Sequence, residues 1–209
     1  MYDLRMRTKS RYARIARLYD FLDLPFEYGR YRPLRRELFG GLSGRILDAG
    51  VGTGRNMPFY PAGAEVVAID ASAEMLARAR ARRDRLGARV ELLEMDALRT
   101  AFPDACFDAV VAAFLFCVLD EDEQLPALRE LGRVCKPGGE IRILEYAYPS
   151  DPLRRFVMRL WAPWVRFAYG AGFDRNTESY AGAAGLAVSV KRWLFRDIIK
   201  LLVMKPRQQ

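Results

Sequence analysis

The residues best equipped for chemistry lie between positions 48 and 96. Asp48-Ala49-Gly50-Val51-Gly52-Thr53-Gly54-Arg55-Asn56 is a glycine-rich run headed by an acid. Glycines so spaced let the backbone approach a ligand closely and leave amide N–H groups pointing at it. A dinucleotide fingerprint would need glycines at 50, 52 and 55, but position 55 is arginine and the third glycine comes one residue early. A phosphate-binding loop of the Gly-Lys-Ser/Thr type is absent as well. Two more acids follow, Asp70 and Asp96. The chain has no histidine, so Ser-His-Asp and Cys-His catalysis, an imidazole base and most zinc enzymes are excluded. Cys106, Cys117 and Cys135 are odd in number and lack C-x-x-C spacing, which predicts a reducing, cytoplasmic setting and no metal site. Cys117 reads as a small buried hydrophobe.

These residues need a framework, and the pattern of the chain supplies one. Short apolar runs at 45–49, 65–70, 89–93, 107–113 and 140–145 read as strands. Helical patterns fall between most of them, at 54–60, 72–86 and 121–135, with Ser72 as a cap. Alternation of this kind predicts right-handed crossovers and a parallel sheet covered on both faces. Beyond Pro149 the spacing predicts a helix over 152–168 and a shorter one over 176–184. Two strands near 186–194 and 198–204 follow, joined by a turn at 195–197 and therefore antiparallel. The 209 residues suit one domain. The expected fold class is α/β: a doubly wound, Rossmann-like, seven-stranded sheet, mostly parallel, with an antiparallel C-terminal strand and a helical cap. The boundaries expected are 1–40 for an N-terminal helical lid and 41–209 for the ligand-binding domain, with 150–185 as the cap insertion.

The spacing Asp-x-Gly-x-Gly-x-Gly resembles the first motif of the class I S-adenosylmethionine-dependent methyltransferases. Asp70 at the end of the second strand, Met95-Asp96-Ala97 after the third and Lys136-Pro137-Gly138-Gly139 before the fifth are in register with that family. The resemblance spans about residues 44–147. It implies S-adenosylmethionine as cofactor and S-adenosylhomocysteine as product. An acid at Asp70 would accept hydrogen bonds from both ribose hydroxyls, as in other doubly wound folds. Asp96 with Ala97 would meet the adenine. Asp48, Gly50, Gly52, Thr53, Gly54 and Asn56 would form the loop site, with Ala71, Met75, Ala113 and Phe114 completing it. Within the family, Tyr12-Ala13-Arg14-Ile15-Ala16-Arg17-Leu18-Tyr19-Asp20 is similar to the lid helix of ubiquinone/menaquinone methyltransferases, which implies Tyr19 as a residue over the cofactor. Short matches at 60–61, 116–118 and 145–146 resemble bacterial phospholipid N-methyltransferases and methyltransferase-like alkyl thiol methyltransferases.

Methyl transfer from a sulfonium releases a neutral thioether and needs positioning more than acid catalysis. A chain without histidine suits N- or S-methylation better than methylation of a quinol carbon. Tyr19, Glu145 and Tyr146 are the candidate catalytic residues; the last two are expected at the carboxyl edge of the sheet, where ligands gather.

Charge and aromatic patterning bear on the acceptor. Residues 1–45 carry 11 basic and 5 acidic side chains, 46–149 carry 12 and 17, and 150–209 carry 11 and 4. Both ends are basic, as suits an anionic partner. Residues 152–169 interleave Phe156, Trp161 and Trp164 with Arg154, Arg155 and Arg159, a pattern suited to a membrane interface and equally to the lining of a closed pocket. Uncharged stretches such as 109–119 fall short of the ~18 residues of a membrane span. The N-terminal arginines have no apolar run behind them, so no secretory leader is expected. Ala113-Phe114-Leu115-Phe116 replaces the Asn/Asp-Pro-Pro-Tyr/Phe of nucleobase-amine enzymes, so nucleic acid is not the expected partner. The expectation is a cytoplasmic monomer, peripheral on the inner membrane face. It would methylate a lipophilic acceptor, led by the amine of phosphatidylethanolamine, with an alkyl thiol or a quinone precursor as alternatives. A non-catalytic cofactor-binding protein is the competing class.

Overall fold

The computed structural model describes residues 31–169 and 171–207, apart from the side chains of 166–169. Helix α1 (Arg32–Phe39) leads into β1 (Arg45–Ala49), followed by β2 (Glu65–Asp70), α2 (Ala73–Leu86), β3 (Glu91–Glu94) and β4 (Phe107–Ala113). Then come α3 (Glu121–Val134), β5 (Cys135–Tyr146), α4 (Pro152–Tyr169), β6 (Leu186–Phe195) and β7 (Ile199–Pro206). The strands form one sheet in the order β3-β2-β1-β4-β5-β7-β6. The five strands from β3 to β5 are parallel, and β7 alone runs against its neighbours. This is the doubly wound, Rossmann-like α/β sheet expected, with its antiparallel C-terminal strand.

The period of two along each strand explains the layering. Leu47, Val67, Val110, Ile141 and Ile143 point to one face, where Leu128 and Leu131 of α3 cover them. Ile46, Val66, Val111 and Leu144 point to the other, where Leu34, Leu38 and Phe39 of α1 pack. Leu76 and Ala79 of α2 cover Ala68 on that second face. Ser72 caps α2, accepting a hydrogen bond from the Met75 amide, and Gly87 ends it in the left-handed conformation.

Two expected helices are not helices. Residues 54–60 form turns and one 3-10 turn at Met57–Phe59, because Gly52 and Gly54 adopt left-handed φ of 55° and 80° and Pro58 follows. Residues 176–184 form two 3-10 turns, Thr177–Tyr180 and Gly182–Ala184, interrupted by glycine and closed by left-handed Gly185. The lid segment 1–30, Tyr19 included, lies outside the described residues; Arg32–Phe39 is the part of the 1–40 stretch that can be followed.

The Pro-Gly-Gly turn has a packing cause. It lies at the start of β5 where the β4–β5 register slips between Phe107 and Ala109. A Cβ on Gly139 would stand 2.7 Å from the Asp108 carbonyl oxygen and 2.9 Å from Cys135 Sγ. Backbone on one side leaves nowhere to yield. Gly139→Ala should therefore cost about 1–3 kcal/mol of stability, read as a lowered urea midpoint; an unchanged midpoint would mean the bulge relaxes freely.

Candidate functional site

Four strand ends meet at one edge of the sheet and frame a cavity of about 260 Å³. The loop after β1 is its floor. The amides of Gly50 and Val51 both donate to the Ile69 carbonyl at 2.9 Å, which ties the loop to β2. The three glycines act differently. Gly50, with φ of 75°, lies so close to the β4–α3 loop that a Cβ would meet Leu115 Cδ1 at 2.9 Å. Gly52 would put a Cβ into open space, and its amide donates to Asp70 Oδ2 at 2.8 Å. Gly54 does not face the cavity; a Cβ there would strike Met57 and the backbone of Ala79. It is a packing glycine between the loop and α2.

Asp70 is held from two sides, by the Gly52 amide and by the Ser72 amide at 2.9 Å. Burial raises its pKa against these two bonds. Its carboxylate lines the cavity at the end of β2, fixed and still able to accept further hydrogen bonds. Asp96 lines the far side, its Oδ1 accepting from the Leu98 amide at 2.9 Å. Met75, Met95, Leu98 and Leu119 supply apolar walls, the setting for a flat ring.

Asp48 is fully buried beneath the loop and does not line the cavity. It accepts from Asn56 Nδ2 with both oxygens at 2.9 Å and from Tyr60 Oη at 2.6 Å. Arg35 of α1 in turn donates to Asn56 Oδ1. Asp48 thus orients Asn56, which does line the cavity along with Arg35. Burial pushes the Asp48 carboxyl up to about 6, against the hydrogen bonds from Tyr60 and Asn56 and the charge of Arg35. The unfolded acid titrates near ~4. A pKa raised in the folded state gives stability that is complete below the unfolded value and is lost as the pH rises from there through about 6. The stability of the natural protein relative to Asp48→Asn should therefore fall by about 3 kcal/mol between roughly pH 4 and 7. Urea unfolding at both pH values reads this, and a pH-independent difference would refute it.

Of the other residues singled out in the sequence, Gly50, Gly52, Thr53, Ala71, Met75, Ala97, Ala113 and Phe114 line the same cavity. Phe114 holds a left-handed φ of 58°, a strained state for a bulky residue that marks a site under constraint. Tyr146 does not line the cavity but packs on Phe114, with ring centroids 4.8 Å apart, and shares a 2.6 Å hydrogen bond with Tyr31. Glu145 is elsewhere. It is fully buried, 3.0 Å from Lys200 Nζ, and accepts from Thr177 Oγ1 at 2.6 Å. Burial raises its pKa in spite of Lys200 and Thr177. Cys117 is buried with its thiol pushed up to about 12, mainly by desolvation, and is inert.

Arg35 was missed in the sequence. The signal was there, since it falls on the same helical stripe as Tyr31, Leu34 and Leu38, where a solvated arginine would be out of place. Arg55 and Glu123 on the cavity wall had no such signal.

A family model described as a methyltransferase domain matches residues 46–139. A phosphatidylethanolamine N-methyltransferase of Cereibacter sphaeroides is 46% identical over 113 residues, about half of each chain (53% of this one and 55% of that protein). A demethylmenaquinone methyltransferase of Thermus thermophilus is 38% identical over 178 residues, covering 81% of this chain and 79% of its own. Among solved structures, a SAM-dependent methyltransferase of Aquifex aeolicus superposes with a TM-score of 0.66 at 22% identity, covering 93% and 97% of the two chains, a likeness of fold. With a relative 38% identical over four-fifths of its length, the chain belongs to the class I S-adenosylmethionine-dependent methyltransferases.

Proposed function

We propose that the enzyme methylates the headgroup amine of a phospholipid, phosphatidylethanolamine in the first instance, while resting on an anionic membrane surface. The observation that carries this reading is the face of α4. Leu153, Phe156, Val157, Leu160, Trp161 and Trp164 recur at helical spacing, and all are exposed, Leu153 by 72% and Leu160 by 65%. An apolar stripe this wide is costly in water and suits an interface, where arginines such as Arg155 and Arg159 meet phosphates. No described helix is long and apolar enough to cross a membrane, so this would be docking rather than insertion.

The cavity fits the cofactor. Asp70 has the acceptor capacity for a ribose diol, the Met75–Met95–Leu98 slot with Asp96 suits adenine, and the Arg35 guanidinium beside Asn56 on the cavity wall suits a carboxylate. Bound there, S-adenosylmethionine would supply a methyl group on a sulfonium. The chain's own part is placement. Asp48 keeps Asn56 in position, Asp70 stays anchored by two amides, and the apolar walls exclude water. A primary ammonium must first lose one of its three protons to expose its lone pair; solvent at the mouth can take it, and the Tyr31–Tyr146 hydroxyl pair offers an oxygen to accept from one of the two remaining N–H groups.

A second reading, methylation of a quinone-precursor carbon, is favoured by the greater length of the match to demethylmenaquinone methyltransferases. The two are separated by incubating the enzyme with methyl-labelled cofactor and vesicles of phosphatidylethanolamine and phosphatidylglycerol carrying a demethylated quinone. Label in phosphatidylethanolamine, rising with anionic lipid and falling with salt, is expected. Label confined to the quinone would replace the first reading by the second, and indifference to both anionic lipid and salt would remove the membrane surface.

A further inference from the structure

Beside the cavity, at the carboxyl ends of β4 and β5, five aromatic rings converge from four separate segments. Phe114 follows β4, Tyr146 ends β5, Tyr148 follows it, Phe173 comes from the segment between α4 and β6, and Tyr31 precedes α1. Tyr146 stands at 30° to Phe114 and at 87° to Phe173, with centroids 4.8 and 5.5 Å away. Phe173 meets Tyr148 at 6.0 Å and 63°. The Tyr31–Tyr146 hydroxyl bond fixes one corner. At these distances the rings pack against one another, and a ligand beside the cavity would meet the outward parts of the rings that stay exposed. Aromatic ring faces are negative. Both ends of the group are already approached by cations: Arg35 lies 5.7 Å from the Phe114 centroid, and Arg159 of α4 lies 5.8 Å from that of Tyr148. Tyr146, Tyr148 and Phe173 remain partly exposed. A purely structural cluster would have no need of the strained backbone that turns Phe114 toward both the cavity and Tyr146.

We propose that this ring cluster is the subsite for the methylated ammonium of the acceptor, with Arg159 at its outer rim receiving the phosphate of the same zwitterionic headgroup. The proposal rests on the phospholipid-amine reading above and adds to it how the amine is recognised. An ammonium loses N–H donors with each methyl group it gains, so hydrogen bonds cannot hold it through successive transfers. Ring faces can, and they hold a quaternary ammonium best, because its hydration is weakest. Phe114 belongs to both the cavity and the cluster, so an amine on these rings would sit beside the cofactor. Arg159 also explains selection for a headgroup over a free amine, since its guanidinium would repel a lone cation and attract one tied to a phosphate.

The test uses the full chain saturated with S-adenosylhomocysteine. Calorimetry compares monomeric dihexanoyl phosphatidylcholine with its 3,3-dimethylbutyl isostere, in which carbon replaces nitrogen and only the charge is lost. The isostere should bind about tenfold more weakly. Phe173→Leu and Tyr148→Leu should each erase most of that preference while leaving S-adenosylhomocysteine binding intact, and Arg159→Gln should weaken both lipids equally. Equal affinity for the two lipids, or a preference that survives both ring substitutions, would overturn the subsite. Methyl transfer to phosphatidylethanolamine vesicles is measured on the same preparation. Transfer without discrimination sinks the ring subsite alone, whereas absence of transfer together with absence of binding sinks the phospholipid reading and the subsite with it.

Discussion

Asp70→Ala should bind S-adenosylhomocysteine at least a hundredfold more weakly than the natural enzyme. The carboxylate closes β2 and lines the cavity. Its inner contacts are already made, to the Gly52 and Ser72 amides at 2.8 and 2.9 Å. What remains can face a pair of hydroxyls, and each hydrogen bond to a charged acceptor is worth about 1.5–3 kcal/mol. Two such bonds make about 3–6 kcal/mol, and a hundredfold corresponds to the lower bound. The alanine variant also frees the Gly52 amide and so loosens the glycine loop, which adds to the loss. Asp70→Asn keeps one carbonyl oxygen and most of the shape, so its affinity should fall between the two. Calorimetry on the three proteins, with thermal unfolding to confirm that each is folded, decides the matter. Affinity of the alanine variant equal to that of the natural protein would remove the cofactor from this cavity.

The second large effect concerns stability. Glu145 and Lys200 are opposite each other on the antiparallel strands β5 and β7, and both are almost wholly buried. Lys200 also donates to Glu178, which Lys191 holds from outside at 2.7 Å. Although burial alone would raise it, the hydrogen bonds from Lys191 and Lys200 keep the Glu178 carboxyl below its usual value. Lys200→Met would strand the Glu145 charge in the core. Breaking a buried pair from one side costs about 3–5 kcal/mol, because the other charge has neither water nor partner. The double variant Glu145→Gln/Lys200→Met should recover most of that, since a neutral amide still accepts from Thr177. It should also retain methyl transfer. Loss of transfer in a stably folded double variant would instead return Glu145 to the candidate catalytic residues, as its place at the end of β5 leads one to expect. The same result bears on Thr177, which also bonds Gln124 at 3.0 Å and so joins the segment between α4 and β6 to α3.

The sheet was legible because its evidence is local. Apolar runs with period two name the strands, and a helix between parallel strands admits one crossover hand. The loop Gly50–Gly54 and the acids Asp70 and Asp96 were legible for a related reason: each lies within a few residues of a strand end, so the fold delivers it to the carboxyl edge whatever the rest of the chain does. Where local signals competed, reading failed. The stretch 54–60 has helical spacing, but left-handed Gly54, with left-handed Gly52 just before it, and Pro58 cost more than that spacing returns. The same is true of 176–184, where Gly182 interrupts and left-handed Gly185 closes the stretch.

What the order of residues determined by itself is the sheet, its edge and the chemistry gathered there: a glycine loop, two acids, no imidazole. What only the tertiary structure decided is which neighbours each group acquires from distant segments. Asp48 and Glu145 look alike in sequence, each an acid near a strand end. Yet one became the buried support of Asn56 and the other the partner of Lys200, because α1 brought Arg35 to the first site and β7 brought a lysine to the second. Tyr31, Phe114, Tyr146 and Phe173 carry no spacing that joins them and meet only when the sheet has closed its layers. The free energy of a buried charge or ring depends on what surrounds it within a few ångströms, and those surroundings come from parts of the chain that sequence distance does not connect.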